Sequence, residues 1–329
     1  MMPDATQEGR APSKAWTPDP SMPTVYLNAV SKSYGRIHAL SNITLGLSGG
    51  VTGILGLNGA GKSTLFKLLM GKVRPSSGEV RIFGEDPWKN PAPYARVGFV
   101  PEHEKMHDWM TALEFVSTFA RLHGMSRNQA ETEARRVLDF VGLTDVVNKE
   151  IGRFSKGMRQ RTKIAHALVN DPDLIVLDEP LQGCDPLART TIMNVIRELG
   201  KMGRTVLVSS HILGEIERIT EQIIIVHHGK LVALGNLHAI RERLDQIPHT
   251  IRLVGKDTKR LAKDILDHPA VFGLSFPSHE ELLIQTYHFG QLHAELPRMI
   301  VENGHQITEI DNPDDDLESL LVYLTGGVA

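Results

Sequence analysis

The chain has few of the features that mark secreted, membrane-spanning or nucleic-acid-binding proteins. Cys184 is its single cysteine, so an intramolecular disulfide is impossible and a reducing compartment fits the composition. No run approaches the roughly 18 consecutive apolar residues of a membrane span, and the polar N-terminus shows no secretory signal. The 36 basic residues are balanced by 39 acidic ones without a dense basic block, which argues against a nucleic-acid partner.

The remaining composition favours a large folded core. Hydrophobic residues make up 41% of the 329 positions, and this length predicts about two domains. Residues 1–23, rich in Pro, Asp, Ser and Ala, predict a disordered leader. The continuous apolar runs at 174–177 and 205–208 predict strands that are buried on both faces. Because such strands alternate with helical patterns, we expect an α/β fold with a mainly parallel core sheet.

The composition changes near Gly235, and residues 236–329 predict a separate small α+β module. The pattern predicts a strand at 250–254, a helix at 258–266, two strands between 273 and 285, a helix at 289–303 and a strand at 305–310. A last helix is predicted at 315–324, with an acidic cluster at its N-terminus that suits the helix dipole.

A phosphate-binding motif lies between a predicted strand and a predicted helix. Residues 56–63 read GLNGAGKS, which fits the pattern G-x-x-x-x-G-K-[ST]. Glycines let consecutive backbone N–H groups point at one anion, and the helix N-terminus adds its positive end. Lys62 supplies a charge for the β and γ phosphates, and the Ser63 hydroxyl is placed to ligate Mg²⁺. The nucleotide contacts predicted in this segment are Asn58, Gly59, Ala60, Gly61, Lys62, Ser63 and Thr64.

Two adjacent acids follow the apolar run at 174–177. Neighbouring residues of a strand point in different directions, so Asp178 and Glu179 can serve different atoms. Ligands of parallel sheets collect beyond the carboxyl ends of the strands. We therefore expect Asp178 to support Mg²⁺ and Glu179 to act as a general base or to orient the attacking water.

Together with residues 154–161, which read FSKGMRQR, these motifs resemble the ABC ATPase family over residues 24–235. Ser155 and Gly157 match the family's signature motif, whereas Lys156 and Met158 depart from its commonest form and are similar to a subgroup of exporter ATPases. The resemblance implies a P-loop NTPase fold with a helical subdomain over about residues 103–161, and it implies ATP and Mg²⁺ as cofactors.

Four further positions match the family residue by residue. Tyr34 resembles the aromatic residue that stacks on adenine, and Asp185 resembles the acid of the D-loop. Glu102 stands where the family's Q-loop usually carries glutamine, and its carboxylate can still contact Mg²⁺ or water. His211 resembles the switch histidine that contacts the γ-phosphate.

The resemblance also implies partners. In this family two ATPase subunits pack head to tail, and each site combines the P-loop of one subunit with the signature segment of the other. We expect a homodimer in which Ser155 and Gly157 contact the γ-phosphate bound by the partner subunit. We also expect a separate integral-membrane permease, contacted near the Q-loop and powered for export, which would hold the chain at the cytoplasmic face of the cell membrane.

Two other functions remain open from the sequence. Residues 103–107 read HEKMH and match the zinc-protease pattern H-E-x-x-H, which requires both histidines on one helix face. The second alternative is an ABC ATPase that works in translation or DNA repair. Such proteins usually carry two cassettes or long coiled coils, and this chain shows one cassette without a long heptad run.

Overall fold

The computed structural model describes residues 23–103, 105–237, 240, 249–312, 321 and 324. The predicted leader at 1–23 and the predicted last helix at 315–324 lie almost entirely outside the described residues, so both stay predictions. Among the described residues, no helix is both long and apolar enough to span a membrane.

Strands and helices alternate along the chain as expected. The strands are β1 Val25–Tyr34, β2 Ile37–Leu47, β3 Gly50–Leu55, β4 Ser77–Ile82, β5 Val97–Val100, β6 Leu174–Leu177, β7 Thr205–Ser210, β8 Gln222–His227, β9 Lys230–Asn236, β10 His249–Gly255, β11 Gly273–Ser278, β12 Glu281–Thr286 and β13 Ile307–Asp311. The helices are α1 Lys62–Leu69, α2 Ala112–Leu122, α3 Arg127–Phe140, α4 Lys156–Leu168, α5 Pro186–Lys201, α6 Leu213–Glu217, α7 Thr258–Ile265 and α8 Phe289–Glu302.

Within the described residues the central sheet has the strand order β5-β6-β7-β3-β8-β9. The first five of these strands are parallel to their neighbours, and β9 is antiparallel to β8. All four residues of β6 are buried, as are all six of β7, because helices or the second sheet cover both faces. That second sheet, β2-β1-β4, is antiparallel and packs its apolar face with α1 against the central sheet. The predicted α/β fold with a mainly parallel core is confirmed.

The predicted helical subdomain at about 103–161 contains α2, α3 and the first half of α4. Helices α2 and α3 both begin with a capping box, in which Thr111 pairs with Glu114 and Ser126 pairs with Gln129. Helix α4 continues without a break to Leu168, past the predicted boundary near residue 161. It buries its apolar face in the same core as α5, so the helical subdomain shares one hydrophobic core with the central sheet.

A partly buried histidine near the C-terminal end of α4 makes stability depend on pH. The ring of His166 packs 3.9 Å from that of Phe119 and 5.7 Å from that of Phe115. Burial lowers the pKa of His166 to about 4, and the positive charge that His123 can carry acts in the same direction. In the unfolded chain the pKa of a histidine is about 6.5. Below that pH the imidazole is protonated in the unfolded state but stays neutral in the folded state until the pH approaches about 4. The free energy of unfolding therefore falls as the pH falls.

We expect protonation of His166 in the unfolded state to lower the free energy of unfolding by about 2 kcal/mol between neutral pH and pH 5. Replacing His166 by glutamine should therefore reduce the pH dependence by that amount. Urea denaturation at pH 7.5 and pH 5 measures it, and His279→Gln, at an exposed histidine, serves as the control. An unchanged pH dependence in the His166 variant would contradict this assignment.

The C-terminal residues form the predicted α+β module. Strands β10 to β13 make an antiparallel sheet with the order β11-β12-β10-β13, and α7 and α8 cover one of its faces. Its own apolar core includes Leu253, Leu282 and Leu296, each at most 1% exposed. The predicted β-α-β-β-α-β order is confirmed, with β13 starting two residues later than expected. The predicted boundary near residue 235 stays a prediction.

Candidate nucleotide site

The predicted site residues follow four neighbouring strands of the central sheet. Glu102 comes two residues after β5, Asp178 and Glu179 follow β6, His211 follows β7, and the loop at 56–63 follows β3. These strands lie side by side in the order β5-β6-β7-β3 and run parallel. Their carboxyl ends therefore share one edge of the sheet, which brings side chains together from segments up to 155 residues apart in the chain (56 to 211).

The phosphate-binding loop is shaped by close backbone approaches. Gly61 has φ +113°, and a β-carbon on it would lie 2.6 Å from the carbonyl oxygen of Ala39. Only glycine fits both the conformation and the space. Lys62, the first residue of α1, is 6% exposed and its Nζ donates a 2.6 Å hydrogen bond to the carbonyl oxygen of Gly56. The loop thus holds a buried ammonium group at the start of a helix.

The carboxylate of Glu179 lies between two basic side chains. Its Oε1 is 3.3 Å from Lys62 Nζ, and its Oε2 is 3.0 Å from His211 Nδ1. The Lys62 contact has the distance of an ion pair but not hydrogen-bond geometry, so Oε1 is a buried acceptor without a hydrogen-bond donor among the described residues. Glu179 also has φ +47°, a conformation that costs a non-glycine residue about 1 to 3 kcal/mol. Such strain concentrates at functional sites.

Asp178 is oriented by two hydroxyl groups. Ser209 Oγ donates to Asp178 Oδ1 at 2.7 Å and accepts from the backbone N–H of Glu179 at 2.8 Å. Ser63 also hydrogen-bonds the Asp178 carboxylate. Burial raises the pKa of Asp178, the charges of Glu102 and Glu179 add to this, and both serine hydrogen bonds oppose it. No motif marks Ser209, which comes directly after the predicted strand at 205–208 and two residues before His211.

An open cavity of about 280 Å³ lies beside these groups; Lys62, Ser63 and Glu179 line it, whereas Asp178 and His211 are not among its lining residues. Residues 58–64, Glu102 and Glu179 line it, as predicted. Five further residues line the cavity without having been predicted from the sequence, namely Ile37, His38, Ala39, Leu57 and Gln182. Ile37 to Ala39 come from β2, whose approach to the loop at 56–63 leaves no signal in the local sequence.

Tyr34 lies at the edge of this arrangement rather than in the cavity wall. It ends β1 at 43% exposure and pairs across the strands with Ile37, which does line the cavity. Directly opposed residues share a face of an antiparallel pair, so Tyr34 and Ile37 form one exposed apolar surface beside the phosphate-binding loop. The Nζ of Lys32 lies 4.9 Å from the centre of the Tyr34 ring.

The signature residues do not line the nucleotide cavity of their own chain, within the part that the structure describes. Ser155 is exposed and caps α4 by accepting a 3.2 Å hydrogen bond from the N–H of Met158. Asp185 caps α5 in the same way through the N–H of Ala188. A β-carbon on Gly157 would overlap that of Ala188, so this glycine permits close contact between α4 and α5.

The zinc-protease pattern at 103–107 does not have the required geometry. The described residues between 101 and 110 form no helix, so His103 and His107 do not share a helix face. His103 is 86% exposed and its Nδ1 lies 3.4 Å from Glu102 Oε1. Glu104, the base of that pattern, lies outside the described residues.

Comparison with known proteins identifies the class of this site. The family model described as ABC transporter matches residues 40–182. The dimeric ATP-binding cassette MJ0796, solved in a post-hydrolysis state with ADP and Pi, has a TM-score of 0.59 and 29% identity, covering 65% of this chain and 98% of that chain. The fold is therefore that of an ATP-binding cassette ATPase.

Two relatives match nearly the whole chain. The bacitracin transport ATP-binding protein BcrA of Bacillus licheniformis is 34% identical over 310 residues, covering 91% of this chain and 96% of that protein. The Nod factor export ATP-binding protein I of Rhizobium johnstonii is 32% identical over 302 residues, with coverages of 91% and 94%. The chain belongs to the ABC transporter family as an ATP-binding subunit with ATPase activity, which confirms the expected family and enzyme class.

Proposed function

We propose that this chain is the ATPase subunit of an exporter whose permease is a separate integral-membrane protein. The position of Glu179 carries the catalytic part of the proposal, because this residue lines the cavity together with Lys62 and also contacts both Lys62 and His211. The export part rests on the names of the two relatives, which concern bacitracin transport and Nod factor export, and on the exporter-like signature segment.

The loop at 56–63 is proposed to hold the phosphates of ATP. Lys62 Nζ now bonds the carbonyl oxygen of Gly56 and lies near Glu179, and both contacts can be exchanged for contacts with β- and γ-phosphate oxygens. The N–H groups of residues 58–64 add donors at the N-terminus of α1. The nucleobase would then extend toward the surface formed by Tyr34 and Ile37, where stacking suits any purine.

The donor set at Asp178 fits Mg²⁺. This ion prefers oxygen ligands, and the Ser63 hydroxyl and the Asp178 carboxylate are hydrogen-bonded to each other at the N-terminus of α1. The raised pKa of Asp178 reflects a buried negative charge without a full counter-charge, which a divalent cation would supply. Bound Mg²⁺ neutralises charge on the phosphates. Glu102 lines the same cavity and is proposed to contact the metal or its waters in place of the usual glutamine.

Glu179 is proposed to activate the attacking water. Its buried Oε1 lacks a hydrogen-bond donor, so it can accept one from water beside the γ-phosphate. The water oxygen bonds to the γ-phosphorus, its proton passes to Glu179, and the bond from that phosphorus to the bridging oxygen of ADP breaks. His211 holds the other carboxylate oxygen and is placed to contact the γ-phosphate. The products are ADP and inorganic phosphate.

A second copy of the chain is proposed to complete each site. Ser155 is exposed and Gly157 lies beside it at the N-terminus of α4, outside the chain's own nucleotide cavity. Ser155 is therefore available to a γ-phosphate bound by the other subunit, where the N-terminal end of α4 would stabilise the negative charge. Gly157 is buried against Ala188, and its contact with that phosphate stays a prediction. Asp185 would lie in the same interface. The resulting dimer forms with ATP and opens after hydrolysis.

The permease is proposed to dock beside Glu102, at the start of the helical subdomain. Trp109 is 74% exposed there, next to the ring of His107, and a large exposed aromatic side chain is typical of a protein interface. Docking would place the chain at the cytoplasmic face of the cell membrane. No nucleic-acid partner is proposed.

Affinity purification of the full-length chain from detergent-solubilised membranes of its native cell tests the transport role. We expect a membrane protein with several apolar spans to co-purify, and Trp109→Ala to reduce its recovery at least about tenfold. Met202→Ala, at another exposed apolar residue, is the control and should leave recovery unchanged. Recovery of ribosomes or DNA in place of a membrane protein would support the non-transport alternative.

A further inference from the structure

The turn that carries His211 is fixed by the hydroxyl group of the residue before it. Ser209 and Ser210 end β7, and successive side chains of a strand point to opposite faces of the sheet. Ser209 contacts the two acids that follow β6, so Ser210 is available on the other side. The Ser210 Oγ accepts a 3.0 Å hydrogen bond from the N–H of Ile212, and this bond closes the backbone around His211.

A buried carboxylate determines the orientation of that hydroxyl. Glu215, in the first turn of α6, is 8% exposed, and its Oε2 accepts a 2.9 Å hydrogen bond from Ser210 Oγ. Because a carboxylate only accepts hydrogen bonds, the hydroxyl proton of Ser210 points to Glu215, and the oxygen lone pairs are left for the N–H of Ile212. The turn around His211 therefore depends on the position of Glu215.

The other oxygen of Glu215 faces an arginine of α5. Its Oε1 lies 3.3 Å from Arg189 Nη1, and Arg189 Nε donates a 3.0 Å hydrogen bond to the carbonyl oxygen of Cys184. Since the guanidinium group is planar and rigid, these two contacts keep a fixed relative orientation. Arg189 thus connects Glu215 to the loop before α5, and it supplies the opposite charge that a buried carboxylate requires.

These contacts reach the nucleotide site through the turn that they fix. Among the residues that the structure describes, Arg189, Ser210 and Glu215 do not line the nucleotide cavity. In contrast, His211 Nδ1 lies 3.0 Å from Oε2 of Glu179, the proposed base. A change at Arg189 can therefore alter hydrolysis by moving His211 while the phosphate-binding loop stays in place.

We infer that Arg189 and Glu215 are positioning residues for ATP hydrolysis, because together they hold His211 against Glu179. The inference rests on the proposed hydrolysis at Glu179. Without Arg189, the carboxylate of Glu215 loses its cation and turns toward solvent, which releases the hydroxyl of Ser210. The turn then loosens, and His211 no longer keeps its distance from the base. ATP binding at the phosphate-binding loop is retained.

Enzyme kinetics and calorimetry of the full-length protein test this inference. We expect Arg189→Met to lower kcat at least about tenfold, because small displacements of a reacting group have effects of this size, and to leave the Kd of MgATP within about twofold of the parental value. Arg197→Met, at an exposed arginine of the same helix, is the matched control and should hydrolyse ATP at the parental rate.

Glu215→Gln provides a second test that leaves no buried charge unpaired. Glutamine keeps the size of the side chain and an acceptor for the Ser210 hydroxyl, but it loses the charge that faces Arg189 at 3.3 Å. We expect a lower kcat at parental MgATP affinity in this variant also. It tests the inference even if Arg189→Met fails to fold.

A double-mutant comparison tests whether Arg189 acts through His211. We expect Arg189→Met to lower the residual turnover of a His211→Ala protein by less than about twofold, because the effects of residues that act through one another are not additive. A loss as large as in the parent background would overturn the inference, since Arg189 would then act independently of His211. Parental turnover in His211→Ala alone would overturn it as well.

The outcomes separate the positioning role from the proposed function. Absence of ATP hydrolysis in the parent protein would overturn the proposed function. Normal hydrolysis by the parent, with parental kcat in folded Arg189→Met and Glu215→Gln proteins, would overturn the positioning role alone, because a pair that only stabilises the fold lowers the unfolding temperature without changing kcat. An equal loss of kcat in Arg197→Met would also overturn it, because the effect would then reflect α5 in general.

Discussion

Replacing Glu179 by glutamine is expected to lower ATP turnover at least about a hundredfold, the usual contribution of a positioned general base. Glutamine keeps the size of the side chain but cannot take the proton from water. The substitution also removes the negative charge that faces Lys62 at 3.3 Å, so ATP should bind at least as tightly as in the parent protein. Since cleavage is what opens the proposed dimer, the variant should accumulate as an ATP-bound dimer.

Steady-state phosphate release measures turnover, and light scattering with and without ATP measures dimer formation. Glu198→Gln, at an exposed position of α5, provides the matched control and should hydrolyse ATP at the parental rate. Undiminished hydrolysis by the Glu179 variant would refute its role as the base. A variant that loses turnover but stays monomeric with ATP would instead contradict the shared-site dimer.

The second large effect is expected from Lys62→Ala. Two charge-assisted contacts to the β- and γ-phosphates would be lost, which corresponds to about a hundredfold or more in the dissociation constant of ATP. Calorimetric titration with MgATP measures the change. Lys67→Ala lies on the exposed face of the same helix and should bind as the parent does.

Because Lys62 is buried and paired, its removal also leaves Glu179 with one basic neighbour fewer. The thermal unfolding of both lysine variants should therefore be recorded beside the titration. A folded Lys62 variant with parental affinity would contradict the assignment of the phosphate-binding loop.

Much of the fold followed from local sequence patterns. The apolar runs at β6 and β7 predicted their strands because both faces of those strands are buried and no polar residue interrupts them. The glycine-rich loop predicted a strand before it and a helix after it, and the structure has both. The C-terminal module was predictable in element order because its helices show strong apolar periodicity, as in α7.

The composition of the site was only partly predictable. Residues 58–64, Glu102 and Glu179 could be assigned to the cavity because each belongs to a motif. The contacts of Ile37 and Gln182 with the cavity depend on how β2 and the segment after β6 approach the loop, and sequence spacing does not encode such distances. The same reason explains Ser209, whose two hydrogen bonds to Asp178 and Glu179 span about thirty residues of sequence.

Two glycines, Gly157 in α4 and Gly183 in the loop before α5, determine how closely these two helices pack. Gly157 allows α4 to touch Ala188 directly, and Gly183, in the loop before α5, has room only for the side chain of Lys156 that lies over it. The close contact between Gly157 and Ala188 leaves no space for α4 to move toward α5. A movement of α4 would therefore displace α5 and the loop before it, so a force applied by the proposed permease would shift the segment that follows Glu179, the proposed base.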